Sequence, residues 1–425
     1  MAKNLKDKIK LLSESAKYDV SCSSSGSNRS NDDGVGNASY GGICHSWTSD
    51  GRCISLLKIL MSNDCIFDCA YCINRKSNNI KRGSLTVDEL VNLTIQFYKR
   101  NYIEGLFLSS AIFINSDHTM EQMYLVVKKL RIDYKFNGYI HVKAIPGANI
   151  DLIRKTGFLA DRMSVNIELP TQKSLRMLAP QKSKENIFKP MKFIGESNLL
   201  AIEDKKKYKK TPKFVPAGQT TQMIVGATPE NDNMILNLTE SLYKKFHLKR
   251  VYFSAYVPVN DDPKINYTGK IQRNREHRLY QADWLLRYYD FTVQEIFDKS
   301  DNFLNEHLDP KIFWALNHPE HFPINVNKAS YQDLLRIPGF GIKTCKRIVM
   351  SRKFSTITYD ELKKIGAVLK RAKYFIEVPG LKLANLSRDP DILKSYFISE
   401  SKNKNGKYLP LFTSKELDLS NAYKI

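Results

Sequence analysis

The chain has 425 residues, of which 42% are hydrophobic and 26% charged, the proportions of an ordinary globular protein. This length allows two or three domains. We find no apolar run of the ~18 residues that a bilayer-spanning helix needs, and the N-terminal 17 residues lack the apolar core of a signal peptide. We therefore expect a cytoplasmic protein without a membrane partner, whose seven cysteines are free thiols or metal ligands.

Positive charge is the bulk property outside the usual range. The 66 Lys and Arg residues exceed the 44 Asp and Glu residues, which gives a formal net charge of +22. This balance favours a polyanionic partner, most simply nucleic acid. The alternative is a lysine-rich composition with no binding role.

Residues 1–53 form a Ser- and Gly-rich N-terminal segment that we expect to be loop. From residue 54 to 300, short β-like runs alternate with helical patterns, and Thr86 and Thr119 are candidate N-caps. The predicted strands include residues 105–110, 138–145, 162–169, 220–227 and 250–257. Such repeating βα units predict an α/β fold with a parallel sheet, either open or curled into a barrel.

The rest of the chain differs in composition. The lysine-dense residues 201–214 are predicted to form a solvated loop. The alternative is that these lysines contact a phosphate backbone. Residues 301–324 contain several prolines and are predicted to be a connector. Residues 325–378 are predicted to form short helices with Gly turns, and residues 379–425 an extended, weakly structured tail. In the connector, His307, His318 and His321 are interpreted as structural rather than as metal ligands.

Three cysteines lie within eight residues, in "CIFDCAYC" at Cys65, Cys69 and Cys72. Structural zinc sites usually have four protein ligands. Three thiolates on a cubane iron–sulfur cluster would instead leave one iron without a protein ligand, where chemistry can occur. A zinc site with a distant fourth ligand remains the alternative.

This spacing, with Tyr71 before the last cysteine, resembles the signature of radical S-adenosylmethionine (SAM) enzymes. The resemblance covers roughly residues 54–300 and implies a partial (β/α) barrel with two cofactors, a 4Fe–4S cluster on Cys65, Cys69 and Cys72, and SAM on the open iron. It further implies a low-potential electron donor and a 5'-deoxyadenosyl radical that takes a hydrogen atom from the substrate.

Further positions match the family less closely. Ser109 and Ser110 stand where the family often has Gly-Gly, and "QMIVGATPE" has Gln222 at the first Gly of the adenine pattern and Glu230 one position late. The SAM contacts that the resemblance implies are Tyr71, Ser109, Ser110, Asn166, Glu168, Ile224 and Gly226.

The remaining N-terminal cysteines, Cys22, Cys44 and Cys53, could bind a second cluster together with His45. Their spacing matches no known ligand pattern, so we favour ordinary thiols.

The stretch "PGFG" at residues 338–341 separates two predicted helices, the first of which ends at Ile337. This resembles a helix-hairpin-helix motif and implies a small all-α domain whose hairpin amides face a DNA phosphate. The DNA-binding residues that it implies are Gly339, Gly341, Lys343 and Lys346. Cys345 takes a slot that usually holds Ala, so we expect it to pack between the helices.

A degenerate copy of this motif follows at residues 365–376, which keeps Gly366 and Ala372 but has Val368 for the second glycine. We expect the copy to pack as a pseudo-symmetric partner. Contacts to the backbone position DNA without reading its sequence. A helical pair used for protein contacts is the alternative.

Together these parts resemble putative DNA modification or repair radical SAM proteins. Radical attack on a base or sugar would require a flipped or unpaired nucleotide, on which Tyr252 and Tyr256 could stack unless they are core residues. Two alternatives remain: a radical SAM enzyme acting on tRNA or protein, and an iron–sulfur DNA glycosylase using Lys343 with Asp360 or Glu361. Against the glycosylase, the chain lacks four clustered cysteines after the hairpin.

Overall fold

The computed structural model describes residues 4–16, 23–24, 43–47, 53–265, 271–297, 302–382 and 387–403. Its described residues form two compact units. The first contains residues up to 230 together with 241–272, and the second contains 231–240 and the chain from 273 onward. Among the described helices, none combines the length and apolar character of a membrane-spanning segment.

An eight-stranded sheet, with its strands in chain order, is the centre of the first unit. Strands β1 to β3 pair antiparallel, and β3 to β8 are all parallel. The strands are β1 (Ser23–Ser24), β2 (Ile43–Trp47), β3 (Cys53–Leu60), β4 (Gly105–Ser109), β5 (Tyr139–Lys143), β6 (Arg162–Ser164), β7 (Gln219–Val225) and β8 (Arg250–Ala255). This confirms the predicted α/β fold with a curled, partial-barrel sheet.

Two predictions about the strands need correction. Strands β1 and β2 lie in the Ser- and Gly-rich segment predicted to be loop. The predicted strand 162–169 ends at Ser164, and further on Glu168 has a left-handed φ of 65°. The regular strand therefore ends before Asn166, and Glu168 pairs with Met223 of β7 only through an isolated bridge.

Helix α1 (Leu5–Ala16) precedes the sheet and lies in the segment predicted to be loop, so that prediction is wrong there. The helices between the parallel strands are α2 (Val87–Lys99), α3 (Ser116–Lys128), α4 (Ile150–Gly157), α5 (Gln172–Leu178), α6 (Lys184–Lys207) and α7 (Asp232–Phe246). The lysine-dense stretch is thus helical as far as Lys207, although it is solvated as predicted. Three lysines in the last turn of α6 favour helix over loop because they interact with the negative end of the helix dipole.

One of the two predicted N-caps is confirmed. The Thr86 hydroxyl accepts a hydrogen bond from the Glu89 amide, and the Glu89 carboxylate accepts one from the Thr86 amide. The prediction for Thr119 is wrong, because Asn115 caps α3 by accepting from the His118 amide at 2.7 Å. Thr119 is fully buried inside the first turn, where its hydroxyl bonds to Phe113 and Asn115.

The second unit is mainly helical but not all-α. Its further helices are α8 (Arg273–Tyr288), α9 (Val293–Ile296), α10 (Pro310–Asn317), α11 (Tyr331–Arg336), α12 (Ile342–Ser351), α13 (Tyr359–Ile365), α14 (Leu369–Ala372) and α15 (Pro390–Asn403). Two short parallel strands, β9 (Ile324–Asn325) and β10 (Ile376–Glu377), pair beside them. The prediction of an extended tail is wrong for the residues of α15, which are helical. The predicted connector contains the buried helix α10, and the His318 ring stacks on its Trp314 with 4.7 Å between ring centroids.

The two predicted hairpins contact each other. Gly339 has φ of 89°, Gly366 has φ of 96°, and the Val368 amide donates to the Gly339 carbonyl at 3.1 Å. The Thr344 hydroxyl in turn donates to the Gly366 carbonyl at 3.2 Å. Each of the two glycine turns therefore accepts a hydrogen bond from the other segment.

Candidate functional site

The cysteine loop, residues 65–72, follows β3 at the carboxyl edge of the parallel strands. Asn260 holds it by donating to the carbonyls of Ala70 at 2.8 Å and Cys72 at 2.9 Å. The Arg82 guanidinium donates to four backbone carbonyls that flank the loop. These contacts order the loop backbone before any ligand binds.

All three loop cysteines are free thiols. Burial raises the pKa of Cys69, with smaller contributions from Glu168 and Cys65. Burial together with the Cys69 and Cys65 thiols raises the pKa of Cys72 to about 12. Within the described residues, no three His, Cys, Asp or Glu side chains are grouped around a single metal ion.

The donor set fits a cubane cluster better than one ion, because it offers three thiolates from one loop and leaves one iron open. The other described cysteines lie elsewhere. Cys44 packs with Leu56 and Phe107 in the sheet core, and Cys345 is a buried residue of α12. Cys22, like the side chains of His45 and Cys53, lies outside the described residues, so the second-cluster hypothesis stays open.

A buried ion pair lies beside the loop. The Lys182 ammonium is 2.7 Å from the Glu168 carboxylate and donates to the Tyr71 hydroxyl at 3.3 Å. The Lys182 and Glu168 side chains are each 11% exposed. Burial lowers the pKa of Lys182, but Glu168 and the Cys69 thiol outweigh it and raise the pKa overall. A protonated Lys182 thus orients Glu168 toward the loop.

Buried polar atoms without partners lie at the same edge. Ser109, the last residue of β4, is 1% exposed, and its hydroxyl has no hydrogen bond within the described structure. Asn166 donates to the Gln222 side chain at 3.3 Å, while its Oδ1 has no partner there. The Ser110 hydroxyl instead donates to the Ala111 carbonyl. Orphaned buried groups such as Ser109 Oγ and Asn166 Oδ1 indicate a ligand, and a polar cofactor such as SAM fits them.

The residues of the predicted adenine pattern differ in what their side chains contact. Ile224 packs with Tyr71 against a cluster of Ala70, Leu169, Leu178, Ala227, Tyr256 and Ile265, which joins the cysteine loop to the ends of β7 and β8. Gly226 has φ of 86°, which favours glycine. Glu230 accepts from the Thr171 and Ser174 hydroxyls and so anchors the start of α5. Tyr256 is a core residue at 5% exposure, and half-buried Tyr252 lies under the Arg250 guanidinium.

In the second unit, the candidate DNA-binding residues lie together at the start of α12. Gly341 is its N-cap, and Lys343 and Lys346 are exposed on its first turns. A Cβ on Gly339 would lie 2.6 Å from the Val368 carbonyl oxygen, whereas one on Gly341 would meet nothing closer than 3.7 Å. Glu361, a residue of the glycosylase alternative, caps α13 through Thr358.

Sequence reasoning missed Lys182, Asn260 and Lys311. Lys311 is buried, and its ammonium donates to the Phe340 carbonyl of the PGFG turn at 2.8 Å. No local pattern marks Lys182 or Asn260, because each contacts a segment distant in the chain. A lysine in an otherwise apolar helical pattern, "PKIFWAL", was the available signal for Lys311.

The sequence also matches a protein family whose cofactors fit the cysteine loop and the polar groups beside it. Residues 59–242 match the model of the family described as "Radical SAM superfamily". No curated protein matches the chain.

Three solved structures are similar to this chain at low identity. The FeFe-hydrogenase maturase HydG from Carboxydothermus hydrogenoformans is 15% identical, with a TM-score of 0.39 over 53% of this chain and 50% of that chain. Another HydG structure has a TM-score of 0.37 at 15% identity, over 53% and 48%. The cobalamin-dependent SAM radical enzyme OxsB is 11% identical, with a TM-score of 0.31 over 89% and 58%.

The chain thus spans about half the length of the maturases, and such TM-scores support no inference about substrate. The family match covers the cysteine loop and the edge where Ser109, Asn166 and Glu168 lie. Residues 59–242 therefore form a radical SAM domain, the kind of domain that uses a 4Fe–4S cluster and SAM.

Proposed function

We propose that this enzyme modifies or repairs DNA at a flipped or unpaired nucleotide. The observation that carries the proposal is the PGFG turn before α12, with exposed Lys343 and Lys346, in the same chain as the radical SAM domain. The compartment that we propose is the cytoplasm, and a low-potential donor supplies the electron.

In the first unit, Cys65, Cys69 and Cys72 would hold three irons of the cluster. A cluster held there would supply the electron for reductive cleavage of SAM, and the chemistry available at the site would be abstraction of a hydrogen atom from the substrate. Ser109, Asn166 and the Glu168–Lys182 pair offer polar groups to the cofactor, and Ile224 and Tyr71 supply apolar contact. Because these groups lie at one sheet edge, they orient the cofactor and exclude water around it.

In the second unit, the turn geometry suits a phosphate. The left-handed Gly339 lets the chain reverse within four residues and begin α12 directly after the turn, so the amide end of the helix dipole lies beside the turn. Lys343 and Lys346 add charge-assisted contacts. Groups of this kind bind the DNA backbone regardless of sequence.

A flipped or unpaired nucleotide follows from the chemistry. The radical carbon must reach van der Waals contact with a C–H bond, and stacking in duplex DNA shields most of those bonds. Extruding one nucleotide costs a few kcal/mol, least where it is mismatched or damaged.

The test is anaerobic reconstitution of the full chain, followed by dithionite, SAM and DNA. We expect 5'-deoxyadenosine, with more of it when DNA is present. Cys69→Ala should abolish the cluster absorbance and the nucleoside but leave DNA affinity unchanged. Cys345→Ala is the matched control, since that thiol lies outside the loop. The absence of DNA stimulation, with an intact cluster, would refute the proposal.

Binding tests the hairpin separately. The pair Lys343→Glu and Lys346→Glu should weaken DNA binding tenfold or more and lower its salt dependence. The matched control is Lys382→Glu with Lys394→Glu, two exposed lysines of the same unit. Tighter binding of tRNA than of DNA would favour the tRNA alternative.

A further inference from the structure

Helix α12 has a basic surface that extends along its whole length. The exposed residues of this helix are spaced three or four apart, which places them on one side of it. They are Lys343, Lys346, Arg347 and Met350. Residues 341–355 contain five Lys or Arg and no Asp or Glu. This charge favours an anionic partner for the exposed side of α12.

Two apolar side chains are exposed at the far end of the same surface. Met350 is 57% exposed and Phe354 is 85% exposed. The Phe354 amide donates to the Ser351 carbonyl at 3.0 Å, so the helical winding continues to this residue and places it about one turn beyond Met350. A single exposed apolar residue is ordinary, but an adjacent pair within a basic surface indicates a binding site.

The turn that contains Phe354 is fixed on both sides. Before it, the Arg352 guanidinium donates to two backbone carbonyls at 3.1 and 2.6 Å. After it, the backbone of Ile357 exchanges two hydrogen bonds with the Asn327 side chain, at 2.8 and 3.0 Å. The phenyl ring is therefore exposed on an ordered turn, and a partner can bind it without rearranging the backbone.

A nucleic-acid strand matches both properties of this surface. Its bases stack on exposed aromatic rings, and its phosphates bind Lys and Arg. From Lys343 to Phe354 the helix rises about 16 Å, the axial length of about five stacked nucleotides. One strand can therefore contact the PGFG turn, the lysines and the ring together. Because a ring enters an intact base stack only by unstacking it, an unpaired base fits this site better than a paired one.

We propose that Phe354 stacks on an unpaired base of the DNA strand whose phosphates contact the start of α12. Met350, one turn earlier, adds apolar contact to the same strand. This inference rests on the proposed function and names the form of DNA that the second unit recognises. An intact duplex offers the same phosphates but no free base, so it binds more weakly.

Fluorescence anisotropy with the anaerobically reconstituted full chain tests this selection. The probes are a paired duplex and the same duplex with a one-nucleotide gap, which leaves the opposite base unpaired. The gapped duplex should bind about fivefold or more tightly, because it adds one stacked base. Placing 2-aminopurine at the unpaired position gives a second readout, since its fluorescence falls when it stacks on the ring.

Variants at Phe354 separate stacking from charge. Phe354→Leu should lose both the preference and the 2-aminopurine quenching, while its affinity for the paired duplex stays within about twofold because the phosphate contacts remain. Phe354→Trp should retain both. Ile392→Ala, on an exposed apolar residue of α15 in the same unit, is the matched control. The unfolding midpoint should be the same in every variant, because these side chains are exposed.

Equal affinity for the paired and gapped duplexes, or a preference that persists in Phe354→Leu, would overturn the inference. It would also be overturned if Phe354→Leu bound less well to phosphatidylserine vesicles but bound gapped DNA normally, which would assign the surface to a membrane. The binding assay does not depend on turnover. Hence a failure of DNA to stimulate 5'-deoxyadenosine formation would refute the proposed function while leaving a measured preference for gapped DNA in place.

Discussion

Replacing Gly339 by Ala should destabilise the second unit, because this glycine supports the contact between the two hairpins. An Ala in the left-handed region costs about 1–2 kcal/mol. Its Cβ would also lie 2.6 Å from the Val368 carbonyl oxygen, so the second turn must shift. The hydrogen bond from the Val368 amide to the Gly339 carbonyl would weaken, at about 1 kcal/mol. We expect a total loss of about 3 kcal/mol.

Gly341→Ala is the matched control within the same turn. Its φ is −104°, and a Cβ there would meet nothing closer than the Tyr289 hydroxyl at 3.7 Å. We expect a stability change within about 1 kcal/mol, since losing an N-cap glycine offsets the reduced entropy of the unfolded chain. If the turn amides face a phosphate, the added methyl group should still weaken DNA binding several-fold.

Tryptophan fluorescence during urea unfolding measures both variants. Trp284 and Trp314 lie in the second unit, and Trp47, the third tryptophan of the chain, can be replaced by Phe. DNA affinity is measured in parallel by fluorescence anisotropy. A Gly339→Ala variant as stable as Gly341→Ala would show that the hairpins do not pair as described.

Three further predictions concern buried charges and a helix cap. Burial lowers the pKa of Lys311 to about 7 from 10.5, with Arg336 and Arg371 contributing. Between these values the unfolded state binds a proton that the folded state does not, so wild-type stability should rise by up to about 4 kcal/mol from pH 7 to pH 10.5. The Lys311→Met variant should lose this pH dependence of stability. If the urea midpoints of the two proteins change with pH in the same way, the prediction is wrong. Lys182→Met leaves the Glu168 carboxylate buried without its cation and should cost about 3 kcal/mol. Adding Glu168→Gln should restore part of that stability in a double-mutant cycle followed by circular dichroism, whereas additive losses would argue against the pair. Asn115→Ala should cost about 1 kcal/mol in urea unfolding of the first unit, similar to Thr86→Ala, and no loss would exclude the cap.

Features decided by neighbouring residues were predictable. The spacing of Cys65, Cys69 and Cys72 predicts the ligand set because the thiols share one short loop. The Thr86 cap and the Gly339 turn depend on backbone conformations that particular side chains favour. Where local signals compete, the prediction failed: both Asn115 and Thr119 can cap α3, and burial of Thr119 leaves Asn115 as the cap.

Other local predictions failed because packing or cooperativity overrides composition. Lysines at 205–207 extend α6 instead of forming a loop, since each added turn continues an existing helix. Helix α10 forms in the predicted connector because its apolar residues are buried. Burial depends on distant segments, so the connector sequence alone does not reveal it.

By itself, the sequence determined the spacing of the three loop cysteines, the alternation of strands and helices, and the glycine turns, because these depend on contacts within a few residues. Only the tertiary structure decided that Lys182 pairs with Glu168 and that Lys311 bonds to the PGFG turn. It alone also brought Asn260 to the carbonyls of the cysteine loop. Strand register and helix packing set these juxtapositions, and both arise from the cooperative burial of segments that lie far apart in the chain.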